Sequence, residues 1–196
     1  MRLRYLSATL TSIVFLTTAC TPESDVASAP APSPRPVVDS APYICKLVPE
    51  QAFRLISGVT GPLVEKTDGN ESDGDCWAPD TNPRPLEVRW LREGDGMPQE
   101  QLDFVMDDRR AVYIRHGGVT LPNELGDGLA AYLPNTPFAD QPYRVVAKFY
   151  CGGKEQLITI YLAKVAQGRD AIKDMIELMR IAQKRYGQLY DCTPGA

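Results

Sequence analysis

The chain has 196 residues, 43% of them hydrophobic, and its 21 basic and 25 acidic side chains give a formal net charge of −4. The one basic cluster is Arg109-Arg110 with Arg115 nearby, so the chain offers little of the positive surface that nucleic acids and anionic lipid headgroups require. We therefore expect neither as a primary partner.

Residues 1–19 are predicted to be a signal peptide. Arg2 and Arg4 precede an apolar stretch over residues 6–16, which is followed by small residues and then Cys20. The stretch is too short for a transmembrane helix, which needs roughly 20 apolar residues. A Cys at this place is typical of a bacterial lipobox, where the thiol receives a diacylglyceryl group and fatty-acyl chains such as palmitate.

Cys20 is therefore predicted to be lipidated and to begin the mature protein. The position three residues before the cysteine usually holds Leu, and here it holds Thr17. A secreted form with an unmodified cysteine is the alternative. Without residues 1–19 the chain loses two arginines and no acid, so its formal charge falls from −4 to −6.

Residues 20–42 combine the lipidated cysteine with a tether rich in Pro, Ala and Ser. The segment has no periodic apolar residues, and such a composition does not bury enough surface to fold. A Pro-rich linker of this length spans roughly 70 Å, at about 3.1 Å per residue. Residues 43–196 remain, enough for a single globular domain with its own core.

The domain contains four cysteines, Cys45, Cys76, Cys151 and Cys192. An even number in an exported chain predicts disulfides, and four cysteines allow three connectivities. We favour Cys45–Cys76 and Cys151–Cys192, because each pair would connect adjacent segments. A zinc site of four thiolates normally requires closely spaced cysteine pairs, which are missing here, so we expect no metal and no cofactor.

The first half of the domain is predicted to contain a helix, an acidic loop and two strands. Residues 49–58 begin with Pro and end with Gly, which typically mark the start and the end of a short helix. Residues 67–75 read as a polar hairpin loop, Cys76-Trp77 opens a strand, and residues 85–92 alternate as a half-buried strand does.

Within the acidic loop, Asp68, Asn70 and Ser72 have the one-three-five spacing of a calcium loop. The other calcium positions do not fit, since Asp73 stands where Gly is required and Pro79 where the bidentate Glu is required. We therefore interpret the segment as a solvated hairpin loop rather than a calcium site.

The second half is predicted to contain two helices and a hairpin. A helix is expected over residues 98–110 and short strands over 111–114 and 129–133. Two β-rich runs flank Gly152-Gly153, and a last helix begins near Asp170 and ends at Gly187. The order of helix, strands, helix, strands, helix predicts an α+β fold: an antiparallel sheet with helices packed on one face, stapled by disulfides.

Taken together, the chain resembles the lipoproteins of unknown function that are widespread in actinobacteria such as mycobacteria and streptomycetes. The matching features are Cys20 with its tether, Cys45-Lys46-Leu47 before a Gly-terminated helix, Cys76-Trp77, and Leu125-Gly126-Asp127 before a strand. The last motif is partial, because Glu124 replaces its first Gly. The resemblance covers about residues 43–190. It implies a secreted or anchored α+β domain, and it carries over no catalytic residues.

The sequence gives little support for an enzyme. His116 is the one histidine, no Gly-x-Ser-x-Gly elbow accompanies it, and no Walker loop or dinucleotide fingerprint occurs. The acid pairs Asp107-Asp108 and Asp73/Asp75 are more typical of a solvent-exposed surface than of the two carboxylates that face each other across a glycosidase cleft. Asp127, between two glycines, is interpreted as a turn former.

Aromatic residues on the predicted strands are the remaining candidates for a binding surface, either as ordinary core or as the lining of a groove. They are Trp77, Trp90, Tyr113, Tyr132, Tyr143, Tyr150 and Tyr161.

The sequence therefore predicts a non-catalytic binding module that is lipid-anchored at the extracytoplasmic face of the cell membrane. Its partner would be an envelope protein, glycan or lipid. Two alternatives stay open: an envelope hydrolase that uses His116 or an acid pair, and an extracytoplasmic regulator of a membrane sensor.

Overall fold

A computed structural model describes residues 35–94, 96–135 and 140–195. The predicted signal peptide, Cys20 and residues 20–34 of the predicted tether lie outside the described residues.

Within the described residues, seven antiparallel strands form the main sheet, in the order β3-β4-β5-β9-β8-β7-β6. The strands are β3 (Lys66–Gly69), β4 (Asp73–Ala78), β5 (Leu86–Arg92), β6 (Val119–Thr120), β7 (Asp127–Tyr132), β8 (Tyr143–Cys151) and β9 (Lys154–Leu162). A separate pair, β1 (Tyr43–Ile44) and β2 (Val48–Pro49), precedes the first helix. The predicted α+β class with an antiparallel sheet is confirmed.

The described chain contains three α-helices: α1 (Glu50–Ser57), α2 (Gln99–Arg115) and α3 (Ala171–Tyr190). They cover both faces of the sheet. Side chains alternate along β8, so that Val145 packs in one core with α1 and α3, and Val146 packs in another with α2. The expectation of helices on one face therefore holds for α1 and α3 and is wrong for α2. Among the described helices, none has both the length and the apolar character needed to cross a membrane.

The domain begins earlier than Tyr43, where the sequence placed its boundary. Asp39 accepts hydrogen bonds from Lys184 of α3 at 2.6 Å and from the Tyr43 hydroxyl at 2.7 Å. The backbone carbonyl of Arg35 accepts a hydrogen bond from Arg169 at 3.0 Å. Residues 35–42 therefore pack against the domain, although their composition resembles that of the tether.

Local signals placed the ends of α1 and the start of α3 correctly, whereas the loop predicted over residues 67–75 contains most of β3 and the first residues of β4. Helix α1 ends at Gly58 in the left-handed conformation (φ 73°), and Asp170 caps α3 by accepting from the Lys173 N–H at 3.1 Å. The predicted strand over residues 111–114 is instead the last turn of α2.

Helix α3 continues past Gly187 to Tyr190. Gly187 serves close packing, because a Cβ at this position would lie 2.5 Å from the carbonyl oxygen of Cys192.

Both predicted disulfides are present. Cys45–Cys76 joins the β1–β2 turn to β4, with Cα atoms 5.5 Å apart. Cys151–Cys192 joins the β8–β9 hairpin to the tail after α3, with Cα atoms 5.4 Å apart. Each bond connects neighbouring segments, as the preferred connectivity required.

Candidate binding pocket

A pocket of about 350 Å³ lies where the end of α3 meets the β3–β4 hairpin and the β1–β2 turn. We call it the aromatic pocket. Its floor is Trp90, its walls are Tyr186, Leu189, Tyr190 and the Cys45–Cys76 disulfide, and its rim carries Lys46, Glu65, Asn70 and Glu71. An apolar wall with a few polar groups at its edge is the usual composition of a small-molecule site.

Trp90 forms the floor of the aromatic pocket. It lies on the α3 face of β5 and is half-buried against the larger core. The indole N–H donates to the carbonyl oxygen of Asn70 at 2.8 Å. This bond ties the ring to the tip of the neighbouring hairpin, so the flat face of the indole is held in one orientation.

Tyr186 and Tyr190, one turn apart on α3, form the opposite wall. Their ring centroids are 4.4 Å apart, and the Tyr186 ring meets Phe149 edge-on at 5.8 Å. The Tyr186 hydroxyl donates to Gln156 Oε1 at 2.6 Å, and burial raises its pKa to about 12. Tyr186 is therefore fixed and neutral. Tyr190 is 38% exposed at the mouth, with the Arg92 guanidinium 5.5 Å from its ring centroid.

The hairpin that borders the pocket uses its polar side chains internally. The Asn70 side-chain oxygen accepts hydrogen bonds from the backbone N–H groups of Ser72 at 2.7 Å and Asp73 at 3.1 Å. Asp68 Oδ1 likewise accepts from the Gly69 N–H at 2.9 Å. These residues therefore stabilise the turn, as the hairpin interpretation expected. The polar side chains that resemble a calcium loop serve to bond the backbone of the hairpin.

The β1–β2 turn places a strained backbone at the pocket wall. Cys45 and Lys46 have φ values of 51° and 60°, in the left-handed region that non-glycine residues adopt at a cost of about 1–2 kcal/mol each. The disulfide holds Cys45 in place. Lys46 is exposed, so its ammonium stands at the rim of the pocket.

Cys45, Cys76 and Glu65 bring three possible metal-ligand atoms within 4.8 Å of one another. Both sulfurs are bonded to each other, however, and the thiolate is the form that binds metals. The group does not make a metal site while the disulfide is intact.

The residues considered for catalysis lie on α2, β4 and β7 and at the end of α2. His116 is exposed at the end of α2, and within the described chain its side chain makes no hydrogen bond or ion pair. Asp107 and Asp108 are exposed on the same helix. Asp127 does not form a turn; it begins β7 and makes an ion pair with Arg110.

The acid pair on β4 faces different surroundings. Asp73 is exposed, whereas Asp75 lies 3.8 Å from the Arg84 guanidinium. Burial, followed by repulsion from Glu87, raises the pKa of Asp75.

The predicted aromatic residues fall into several environments. Trp77 is buried on the opposite face of β4, with the Arg84 guanidinium 3.8 Å from its ring centroid. Tyr132 and Tyr143 stack at 4.8 Å, Tyr150 is 46% exposed, and Tyr113 and Tyr161 are buried.

Of the predicted set, only Trp90 lines the aromatic pocket. Tyr190 was missed because Gly187 was taken as the end of α3. Continuing the four-residue spacing from Tyr186 would have found it.

Comparison with known proteins gives no relatives: no protein-family model, curated protein or solved structure matches this chain.

Proposed function

We propose that this protein is a lipid-anchored envelope protein that acts as a non-catalytic binding module, with the aromatic pocket as its ligand site. We further propose that it belongs with the actinobacterial lipoproteins that its cysteine and turn motifs resemble. The observation that carries the proposal is the pocket itself, an apolar cavity with a fixed Trp90 floor and a Tyr186–Tyr190 wall.

The chemistry of the pocket favours a glycan ligand. Aromatic rings present flat apolar faces, and their polar edges are satisfied by other groups, as the bonds of Trp90 and Tyr186 illustrate. A sugar ring has an apolar face that stacks on such surfaces and hydroxyl groups that seek hydrogen bonds. At the rim, the Lys46 ammonium can donate them, and the Glu65 and Glu71 carboxylates can accept them.

The extracytoplasmic location rests on the leader, Cys20 and the tether, together with two disulfides, which persist in oxidising compartments. Intact mass spectrometry of the detergent-extracted protein tests it. We expect a chain that begins at Cys20, carries a diacylglyceryl group and gains about four daltons on reduction. An unlipidated chain in the medium would contradict the anchor.

Ligand binding can be followed by the fluorescence of Trp90. The chain has two tryptophans, so Trp77→Phe leaves Trp90 as the one emitter. Titration with solubilised glycan fragments of the cell envelope should give a saturable change in emission. The absence of any saturable change with these fragments would overturn the glycan assignment.

Tyr190→Ala should weaken this binding by about two- to tenfold, since an aromatic contact contributes roughly 0.5–1.5 kcal/mol. Phe104→Ala is the matched control, because Phe104 is 69% exposed on α2 and lies outside the pocket. Equal affinity of the two variants would place the ligand elsewhere on the surface.

A further inference from the structure

A second cavity, of about 430 Å³, lies on the other face of the sheet, between α2 and the neighbouring strands β5, β8 and β9. Its inner wall brings together Arg109 and Tyr113 from α2, Arg144 from β8 and Tyr161 from β9. We call it the arginine–tyrosine cavity. It shares no lining residue with the aromatic pocket.

Arg109 enters this cavity without a carboxylate partner. Its guanidinium donates to the Tyr161 hydroxyl at 2.7 Å. Within the described chain, no carboxylate oxygen lies within 4.0 Å of Arg109, whereas its neighbour Arg110 pairs with Asp127. A largely buried cation that is held by a neutral hydroxyl retains much of its attraction for an anion.

Arg144 provides a second guanidinium, and its residue is only 5% exposed. Its Nε donates to the carbonyl oxygen of Gln141 at 2.9 Å, and the guanidinium lies 5.0 Å from the Tyr161 ring centroid. Tyr161 therefore contacts both arginines, and it fixes their positions relative to each other.

Tyr113 contributes a buried hydroxyl that has no hydrogen-bond partner in the described structure. The residue is completely buried, and leaving a buried hydroxyl without a partner costs about 1–3 kcal/mol. Burial raises the pKa of Tyr113, even though Arg109 and Arg144 act to lower it. The hydroxyl is therefore a neutral donor that lies beside Arg109, close enough for the guanidinium to act on its pKa but outside hydrogen-bond geometry.

The outer part of the cavity carries charges of both signs. Arg89, Asp108 and Asp140 are exposed there, and Glu87 is held by Arg84 at 3.0 Å. Exposed charges are screened by water and salt, whereas the inner arginines are screened much less. The inner wall consequently favours an anion.

We propose that the arginine–tyrosine cavity binds the carboxylate or phosphate group of a small organic anion. Planar guanidinium groups match both oxyanions through paired hydrogen bonds. The Tyr113 hydroxyl supplies a further donor, and an oxyanion there would give it the partner that the protein alone does not. This site is independent of the proposed glycan pocket, and either can be present without the other.

The test uses the mature, detergent-extracted protein in titration calorimetry, with inorganic phosphate and acetate as probes at constant ionic strength set by chloride. We expect saturable binding of at least one probe, and the one that binds more tightly identifies the oxyanion. Arg109→Gln should weaken binding at least tenfold. Arg115→Gln is the charge-matched control, since Arg115 is exposed and, among the residues that the structure describes, its side chain bonds only to the Ala111 carbonyl oxygen of its own helix.

Tyr113→Phe distinguishes a ligand site from a merely unsatisfied hydroxyl. The change removes no hydrogen bond of the described structure, so the variant should fold and be at least as stable as the parent without ligand. Binding weakened threefold or more in this variant supports the proposal. No saturable binding of either probe to the parent, or affinities unchanged in both Arg109→Gln and Tyr113→Phe, would overturn it.

Discussion

The indole of Trp90 lies directly over Gly74 on the neighbouring strand. The two residues are register partners of β4 and β5, and a Cβ on Gly74 would lie 2.4 Å from Trp90 Cζ2. The absence of a side chain at residue 74 is therefore what allows the ring to lie flat and reach the Asn70 carbonyl oxygen. The floor of the aromatic pocket depends on this one glycine.

Gly74→Ala should displace the Trp90 indole. Forcing an extra methyl into a packed contact costs typically 1–3 kcal/mol, so we expect the free energy of unfolding to fall by about that amount. In the Trp77→Phe background, the emission of Trp90 should shift to longer wavelength as the ring becomes more exposed. Urea unfolding followed by fluorescence measures both effects.

Gly61→Ala is the control for this change, because a Cβ there has no neighbour within 4 Å and φ is not in the left-handed region. It should leave both the stability and the emission of Trp90 unchanged. If Gly74→Ala behaved like this control, the close approach of the indole would not be required for its orientation.

Lys148 holds a buried acid beneath α2. The side chain of Glu155 is 4% exposed, and Lys148 lies 3.2 Å from it while also pairing with Asp103 of α2. Lys148→Met would leave Glu155 buried without a cation, which should lower the free energy of unfolding by about 3–5 kcal/mol. Asp103→Asn removes only the exposed partner and should cost less than about 1 kcal/mol. Chemical denaturation of both variants checks the difference, and similar losses would refute it.

The sequence predicted several features that depend on neighbours along the chain, and among contacts across the fold it predicted the two disulfides. Pro49, Gly58 and Asp170 delimit helices through their own backbone or side-chain geometry, and each was predicted correctly. Gly187 was wrongly predicted to end α3, because its role is close packing against the carbonyl oxygen of Cys192. Residues 111–114 were wrongly predicted to be a strand, because a short apolar run is compatible with a strand as well as with a helix.

The candidate sites could not be predicted in full. Trp90 and Tyr190 lie on elements far apart in sequence, and Arg109 and Tyr161 are separated by 52 residues. Aromatic residues on alternate faces of the strands were visible, but which of them face a cavity depends on where α2 and α3 pack. Helix α2 covers the face that the sequence left open.

The two disulfides should differ in their effect on the aromatic pocket. Removing either by paired Cys→Ser substitution should cost about 3–4 kcal/mol, since each closes a loop of 31 or 41 residues. Loss of Cys45–Cys76 also frees the strained turn at the pocket wall, so Trp90 emission and glycan affinity should change. Loss of Cys151–Cys192 should leave both unchanged below the unfolding transition. Fluorescence titration at low temperature separates the two variants, and equal effects on affinity would argue against the pocket.

Tyr186 should make stability depend on pH in the alkaline range. Its pKa is raised to about 12 by burial, whereas a tyrosine in an unfolded chain titrates near 10. Below pH 10 both states keep the proton, and the stabilisation is fully present. Between pH 10 and 12 the unfolded chain releases the proton first, so the free energy of unfolding falls, by up to about 1.4 kcal/mol per pH unit for this one group.

Tyr186→Phe tests this origin, because it removes the titrating hydroxyl and keeps the ring in the pocket wall. At neutral pH the variant should lose about 1–3 kcal/mol, since Gln156 is buried and loses its donor. Its stability should then fall less steeply than that of the parent between pH 10 and 12. Tyr190→Phe is the control, because Tyr190 is an exposed residue whereas Tyr186 is buried. Parallel pH profiles for the parent and Tyr186→Phe in urea denaturation would show that another group causes the alkaline loss.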